Sequence, residues 1–263
     1  MPPIIHCVRH GQGEHNLSHD NHNMPDPSLT TLGEEQSRNI AENYRGVFEG
    51  SDLILASPLR RTISTALFAF QPILDGGKKV VAWPDLQEAS DLPCDTGSDV
   101  AKLHAEFGSS PVDLTLVVPG WEIKTAESAA DSTSLLARAA KARAWLAQRS
   151  EKEVVLVSHG CFLHFLTDEW VDSTCSHSKS MTISRTEHAD TNRIHPGYAV
   201  TSWKNTELRS YTFVDGGEYG LHMEETPESR QRRGLTPRGP TPAERLRLRD
   251  ESIQNWIKWG VIS

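Results

Sequence analysis

Four short stretches of this chain carry the residue types that phosphoryl chemistry uses. Arg9, His10 and Gly11 follow an apolar run from Ile4 to Val8, and Asn16 stands five residues past Gly11. Arg60 and Arg61 come just after Ser57-Pro58, Glu88 closes Leu86-Gln87-Glu88, and His159 sits between Ser158 and Gly160. Arginine offers a permanent cation with a planar fork of donors, and histidine offers a nitrogen nucleophile. Glycine lets backbone approach a ligand closely. Two arginines, two histidines and one carboxylate suffice for phosphoryl transfer without a metal. The guanidinium groups neutralise the non-bridging oxygens, and one imidazole attacks phosphorus. The other imidazole stabilises developing charge, and the carboxylic acid protonates the departing oxygen. No cofactor is called for. His15, His19 and His22 share one loop, but a solvated polar loop is a simpler reading than a metal site.

These residues need elements that bring them together. Ile4 to Val8, Asp52 to Ala56, Lys79 to Trp83 and Glu153 to Val157 are short apolar runs of the kind that form buried strands. Each ends at or just before a chemistry-bearing segment, and open α/β sheets bind ligands at the carboxyl ends of their strands. Thr31-Leu32-Gly33-Glu34 has the form of a capping box, with Ile40, Tyr44, Val47 and Phe48 on one helical face behind it. Further helices are expected over Leu59–Phe70, 98–108 and Glu127–Arg149, while 109–125 shows no clear pattern. Tyr198–Trp203 and Leu208–Val214 look like an edge hairpin. Prolines and arginines make 226–242 an extended linker or lid, and Thr241-Pro242-Ala243-Glu244 starts a helix with Leu246, Ile253 and Ile257 on one face and Trp256 beside it. The arginines between 230 and 249 read as a solvated face. Strands alternating with helices predict a three-layer α/β/α fold with a mostly parallel sheet. Residues 1–263 are expected to form one domain, with 226–263 as a linker and helix packed on it.

Bulk properties narrow the partners. The chain has 263 residues and a net charge of −8, from 27 basic and 35 acidic side chains, which argues against nucleic acid. A phosphorylated small molecule stays compatible, because fields from exposed charges fade within about 8 Å at physiological salt. Cys7, Cys94, Cys161 and Cys175 form no C-x-x-C pair and read as free thiols of a reducing compartment. No leader or membrane-length apolar run is visible, so a cytoplasmic protein without a membrane partner is expected. Oligomeric state is not encoded in any pattern. Gly11-x-Gly13 lacks the third glycine of a dinucleotide fingerprint. Neither Cys7 nor Cys161 has an arginine six residues on, as a cysteine phosphatase requires.

Together, Arg9-His10-Gly11 with Asn16, Ser57-Pro58-Leu59-Arg60-Arg61-Thr62 with Thr65-Ala66, Leu86-x-Glu88 and Ser158-His159-Gly160 resemble the histidine phosphatase superfamily. The likeness is to its phosphoglycerate-mutase-like branch and most of all to fungal members of uncertain substrate. It runs from residue 4 to about 170. The resemblance implies that His10 becomes a phosphohistidine and that Glu88 is the proton donor. Arg9, Arg61 and His159 would form the phosphate pocket, with Gly11 and Asn16 assisting. Arg61 rather than Arg60 matches the family position, because it directly precedes Thr62. Glu88 is followed by Ala89-Ser90-Asp91-Leu92-Pro93, where mutases carry basic residues and a Tyr-Gly, and His15 replaces the tryptophan common in mutases. Hydrolysis of a small phosphorylated metabolite is thus expected. A phosphomutase, or a non-hydrolytic biosynthetic enzyme reusing the anion pocket, is the alternative.

Overall fold

A computed structural model gives the structure of residues 1–170, 202–215 and 220–263. Cys175, most of the first arm of the expected hairpin and the segment 171–197 lie outside the described residues. The apolar runs become strands β1 (Ile4–Arg9), β2 (Leu53–Ala56), β3 (Val80–Ala82), β4 (Val112–Asp113) and β5 (Glu153–Ser158). Helices α1 (Thr31–Asn43), α2 (Arg45–Phe48), α3 (Arg60–Ala69), α4 (Gln71–Asp75), α5 (Val100–Phe107), α6 (Ser132–Ala147) and α7 (Gly160–Thr167) alternate with them. Strands β6 (Leu208–Asp215) and β7 (Leu221–Glu225) follow, then helices α8 (Pro227–Arg232) and α9 (Pro242–Lys258). Among the described residues the sheet has seven strands in the order β4-β3-β2-β5-β1-β6-β7. Strands β1 to β5 are mutually parallel, and β6 and β7 add an antiparallel edge.

Alternation along the strands splits the core in two, as a sheet covered on both faces requires. Ile5, Cys7, Leu55, Val154 and Leu156 face α6, α7 and α9. Val8, Ile54, Ala56, Val155 and Val157 face α1, α2 and α3. This is the expected three-layer α/β/α arrangement. Register then sets the site. Arg9 pairs with Ser158, and Ala56 pairs with both Val157 and Ala82. The residues that follow, His10, His159, Ser57 and Trp83, therefore emerge level at one edge of four neighbouring strands.

Several expectations need correction. The cap of α1 is Thr30, whose hydroxyl accepts from Gly33 N, one residue earlier than the Thr31 box. The face Ile40, Tyr44, Val47 and Phe48 packs together, but a break at Tyr44 divides it between α1 and α2. Asp131 caps α6, so that helix starts five residues late. Strand β6 pairs with β1 and β7, and residues 202–207 form a loop rather than a hairpin arm. Residues 226–242 hold α8. The arginines between 230 and 249 are not a uniform solvated face, since Arg230 and Arg245 are buried. Ile257 is exposed on α9, where Ile253 and Trp256 dock with Leu248 in support. Among the described residues no helix is long and apolar enough to cross a membrane.

Gly11 and Gly33 let α1 reach the end of β1. A Cβ on Gly33 would lie 2.0 Å from Gln12 O, and one on Gly11 would lie 2.5 Å from Gly33 O. Alanine normally stabilises a helix interior over glycine by about 1 kcal/mol. Here overpacking against fixed backbone, on the order of 1–3 kcal/mol, should win. Gly33→Ala should therefore lower the urea midpoint, and a raised midpoint would refute this close-packing account.

Candidate active site

The loop ends of β1, β3 and β5 border one cavity of about 280 Å³, lined by Arg9, His10, Asn16 and Glu88 among others. His10 leaves β1 with its amide bonded to Ser158 O at 3.0 Å. Its Nδ1 lies 2.6 Å from Gly11 O, and a carbonyl can only accept, so Nδ1 carries the proton. Nε2 is left with its lone pair uncommitted among the described residues. Burial, reinforced by Arg61 and Arg9, holds the His10 imidazole well below its ordinary pKa, in the neutral form a nucleophile needs.

Gly11 works differently from a ligand contact. Its N–H donates to Thr65 Oγ1 at 3.0 Å, and the Thr65 hydroxyl donates to Arg61 O at 2.7 Å. This fastens the β1 loop to the first turns of α3. Asn16 lines the cavity while its Oδ1 accepts from Gly13 N at 3.0 Å, which leaves the amide NH2 as the donor.

Arg61 and His159 stand behind the cavity wall, both fully buried. The Arg61 guanidinium donates to Cys94 O at 2.6 Å, to Asp95 Oδ1 at 2.8 Å and to His159 Nδ1 at 3.1 Å. A guanidinium has no lone pair to give, so His159 must accept at Nδ1 and carry its proton on Nε2. That Nε2–H donates to Ser57 Oγ at 2.8 Å. Burial first, then Arg61, holds His159 well below its usual pKa. The rings of His10 and His159 are 5.3 Å apart. Arg60 points elsewhere and pairs with Glu106 at 2.7 Å. Arg9 donates to Trp203 O. The Nε atoms of Arg9 and Arg61 are buried without a partner among the described residues. Unsatisfied buried donors are costly, and an anion would satisfy them.

Glu88 reaches the cavity from the loop after β3. Its Oε1 accepts from Ala89 N and Phe162 N at 2.8 Å each, and Oε2 accepts from Cys161 N at 3.2 Å. Burial, then the Asp95 carboxylate, pushes its pKa up, and the three backbone donors only partly oppose this. A carboxyl held toward its neutral form can act as a proton donor. The loop itself is clamped from behind. Arg138 of α6 donates to Gln87 O at 2.6 Å and Glu88 O at 3.2 Å, with its guanidinium 4.0 Å over the Phe162 ring. Lys124 donates to Glu88 O at 2.7 Å, and burial with Arg138 nearby lowers its pKa to about 7.

Several residues were missed in the sequence. Asp95, Lys124 and Arg138 lie in stretches without a motif, and only the fold brings them to Glu88. His15 is buried with its ring 5.4 Å from His10, so it belongs to the site wall rather than to a solvated loop. Trp259, Gly260 and Val261 reach the cavity from the C-terminus, where residues 226–242 contribute no lining. Gly260, at φ 67°, ends α9 in a Schellman motif, with Gly260 N bonded to Ile257 O and Val261 N to Trp256 O. That reversal turns the chain toward the site.

Comparison with known proteins bears on the family and the fold. The chain is 26% identical over 258 residues to a phosphoglycerate mutase-like protein of Arabidopsis thaliana, covering 84% of this chain and 88% of that one. It is 28% identical over 158 residues to a probable phosphatase of Schizosaccharomyces pombe, covering 59% and 73% of the two chains. The structure of ecdysone phosphate phosphatase from Bombix mori in complex with tungstate superposes with a TM-score of 0.53 at 17% identity, over 91% of this chain and 94% of that one. Residues 5–206 match the family model of the histidine phosphatase superfamily (branch 1), and the chain belongs to that superfamily.

Proposed function

We propose that the protein is a metal-independent phosphohydrolase of small phosphorylated metabolites, working through a phosphohistidine on His10. The observation that carries this reading is a neutral His10, its Nε2 uncommitted among the described residues, sharing one cavity with Arg9 and Glu88 and backed by the Arg61–His159 pair. In the first step Nε2 of His10 bonds to phosphorus as the ester P–O bond breaks. Glu88 gives its proton to the departing alkoxide, and Arg9 and Arg61 take up charge on the non-bridging oxygens. In the second step water attacks phosphorus, Glu88 accepts its proton, and the N–P bond breaks to release phosphate and neutral His10. Gly11 serves by position, and Asn16 adds a donor at the mouth. The neutral-to-acidic loop after Glu88 favours hydrolysis over a mutase cycle, in which a doubly phosphorylated intermediate must stay bound.

Phosphate release from phenyl phosphate tests the reading directly. His10→Ala should abolish it with the circular dichroism spectrum unchanged, and full retained activity would reject the assignment. Acid quench is avoided in the companion measurement, because phosphohistidine is acid-labile. Wild type mixed with labelled substrate and quenched in alkali should carry label that His10→Ala lacks. Arg61→Met should lower kcat/KM by about 100-fold or more, the scale of removing one preorganised donor.

The raised pKa of Glu88 sets the pH dependence. The acid form must be present for the first step, so kcat/KM should fall as pH rises through that pKa, above the ordinary carboxylate range. Glu88→Gln should remove this limb and cost on the order of 10²–10⁴-fold for alkyl phosphates. The loss should be much smaller for p-nitrophenyl phosphate, whose leaving group needs no proton. Equal losses on both substrates would exclude Glu88 as the acid.

Arg138 is a positioning residue in this scheme. Arg138→Met should lower kcat on alkyl phosphates at least tenfold with KM for p-nitrophenyl phosphate little changed, as expected when only the proton donor is misplaced. A matching rise in KM would instead show that the phosphate cradle had moved.

A further inference from the structure

Resting on the phosphate-binding reading above, we infer that the cavity takes phosphate monoesters of uncharged, apolar alcohols. Asp95 is the residue that turns away esters carrying a second anionic group. The rest of the lining includes the apolar side chains of Leu92, Trp259 and Val261, with Cys94, the imidazoles of His19 and His22 and the carboxylate of Asp95. That carboxylate is fixed. Its Oδ1 accepts from Arg61 at 2.8 Å, its Oδ2 accepts from the Ser90 hydroxyl at 2.6 Å, and its side chain is 13% exposed.

The charges decide what else fits. Among the described residues Arg9 is the only arginine or lysine that lines the cavity, with Arg61 directly behind it. Lys124 and Arg138 are engaged from behind on carbonyls of the Glu88 loop. Burial holds the imidazoles of His15 and His22 below their usual range, toward the neutral form. Once a phosphate dianion is seated, it and the Asp95 carboxylate outweigh the two nearest cations, Arg9 and Arg61, by one negative charge. A further carboxylate or phosphate would enter a cavity already in negative excess, and a like charge at short range in a partly desolvated site costs a factor of about ten or more. An apolar group instead gains contact with Leu92, Val261 and the Trp259 ring.

Two non-hydrolysable phosphonates separate the cases by isothermal titration calorimetry at pH 7.5. Phenylphosphonate presents an apolar ring, and phosphonoacetate presents a second anion of similar reach. Wild type should bind phenylphosphonate about tenfold tighter or more. Asp95→Asn should narrow that gap about tenfold by tightening phosphonoacetate, and Asp95→Glu should keep the wild-type gap. Preference of wild type for phosphonoacetate, failure to bind either compound, or an unchanged gap in Asp95→Asn would overturn the inference. Should Asp95→Asn not fold, the wild-type preference alone decides. Phosphate release from phenyl phosphate and 3-phosphoglycerate is measured in parallel. Binding preference without release from either would remove the hydrolase reading and leave this one standing. Release without preference would do the reverse.

Discussion

A guanidinium that cannot lose its proton, placed where no water reaches it, must be surrounded by acceptors. Arg61 meets that condition at its two terminal nitrogens with a carbonyl, a carboxylate and an imidazole nitrogen, and much of the site follows from their placement. The carbonyl and carboxylate come from Cys94 and Asp95, so the loop after Glu88 must fold back over the start of α3. The imidazole comes from His159, so β5 must end level with β2. The same pairing fixes the His159 tautomer and passes the next proton to Ser57. Asp95, held there to partner Arg61, also raises Glu88. One buried cation thus organises three loops and biases the protonation of the acid opposite it.

The β1 end is held by a different device. Loop 203–207 accepts Arg9 on its Trp203 carbonyl and bonds the His10 carbonyl through Asn205 Nδ2 at 3.0 Å. Behind that loop Arg209, Arg230 and Arg233 interleave with Glu169, Glu207 and Glu225, the tightest contact being Arg233–Glu225 at 2.6 Å. Tyr211 OH donates to Glu169 at 2.7 Å. Buried ion pairs of this kind add little net stability over apolar packing, but removing one partner strands a charge. Their value here is registry. They lock α8 to β6 and to the loop that carries the Arg9 acceptor, which is why the edge strands after the parallel sheet matter to the site.

The parts legible in the sequence were those written locally. Strand runs such as Ile4 to Val8 and Glu153 to Val157 carry their own periodicity, and the chemistry sits where they stop. Arg61 and Arg60 part company in space, since Arg61 is buried beside His159 and Arg60 pairs with Glu106 nearer the surface. What stayed hidden depends on distant segments meeting. Arg138 looks like any helix arginine until Gln87 and Glu88 present their carbonyls to it. Arg230 looks solvated until β7 and the segment just after α7 supply its carboxylates, Glu225 and Glu169. Val261 reaches the cavity because Gly260 reverses the chain, and no local pattern says where a reversed chain will point. Cap positions slipped by a residue where Thr30 and Thr31 offered the same hydroxyl.

Two imidazoles 5.3 Å apart, under the same cationic field and both kept neutral, have no intrinsic reason to differ in role. The difference lies in which nitrogen is already engaged. His10 spends Nδ1 on a carbonyl one residue away, an interaction independent of any ligand, and keeps a lone pair at Nε2. His159 uses both nitrogens, accepting from Arg61 at one and donating to Ser57 from the other. A side chain with no free lone pair cannot attack phosphorus, but it can shift a proton-bearing edge toward an oxygen as charge builds there. In the proposed cycle, role assignment within the pair therefore comes from backbone and neighbour placement. Exchanging the two functions would require rebuilding the Gly11 turn and moving Arg61, not altering either ring.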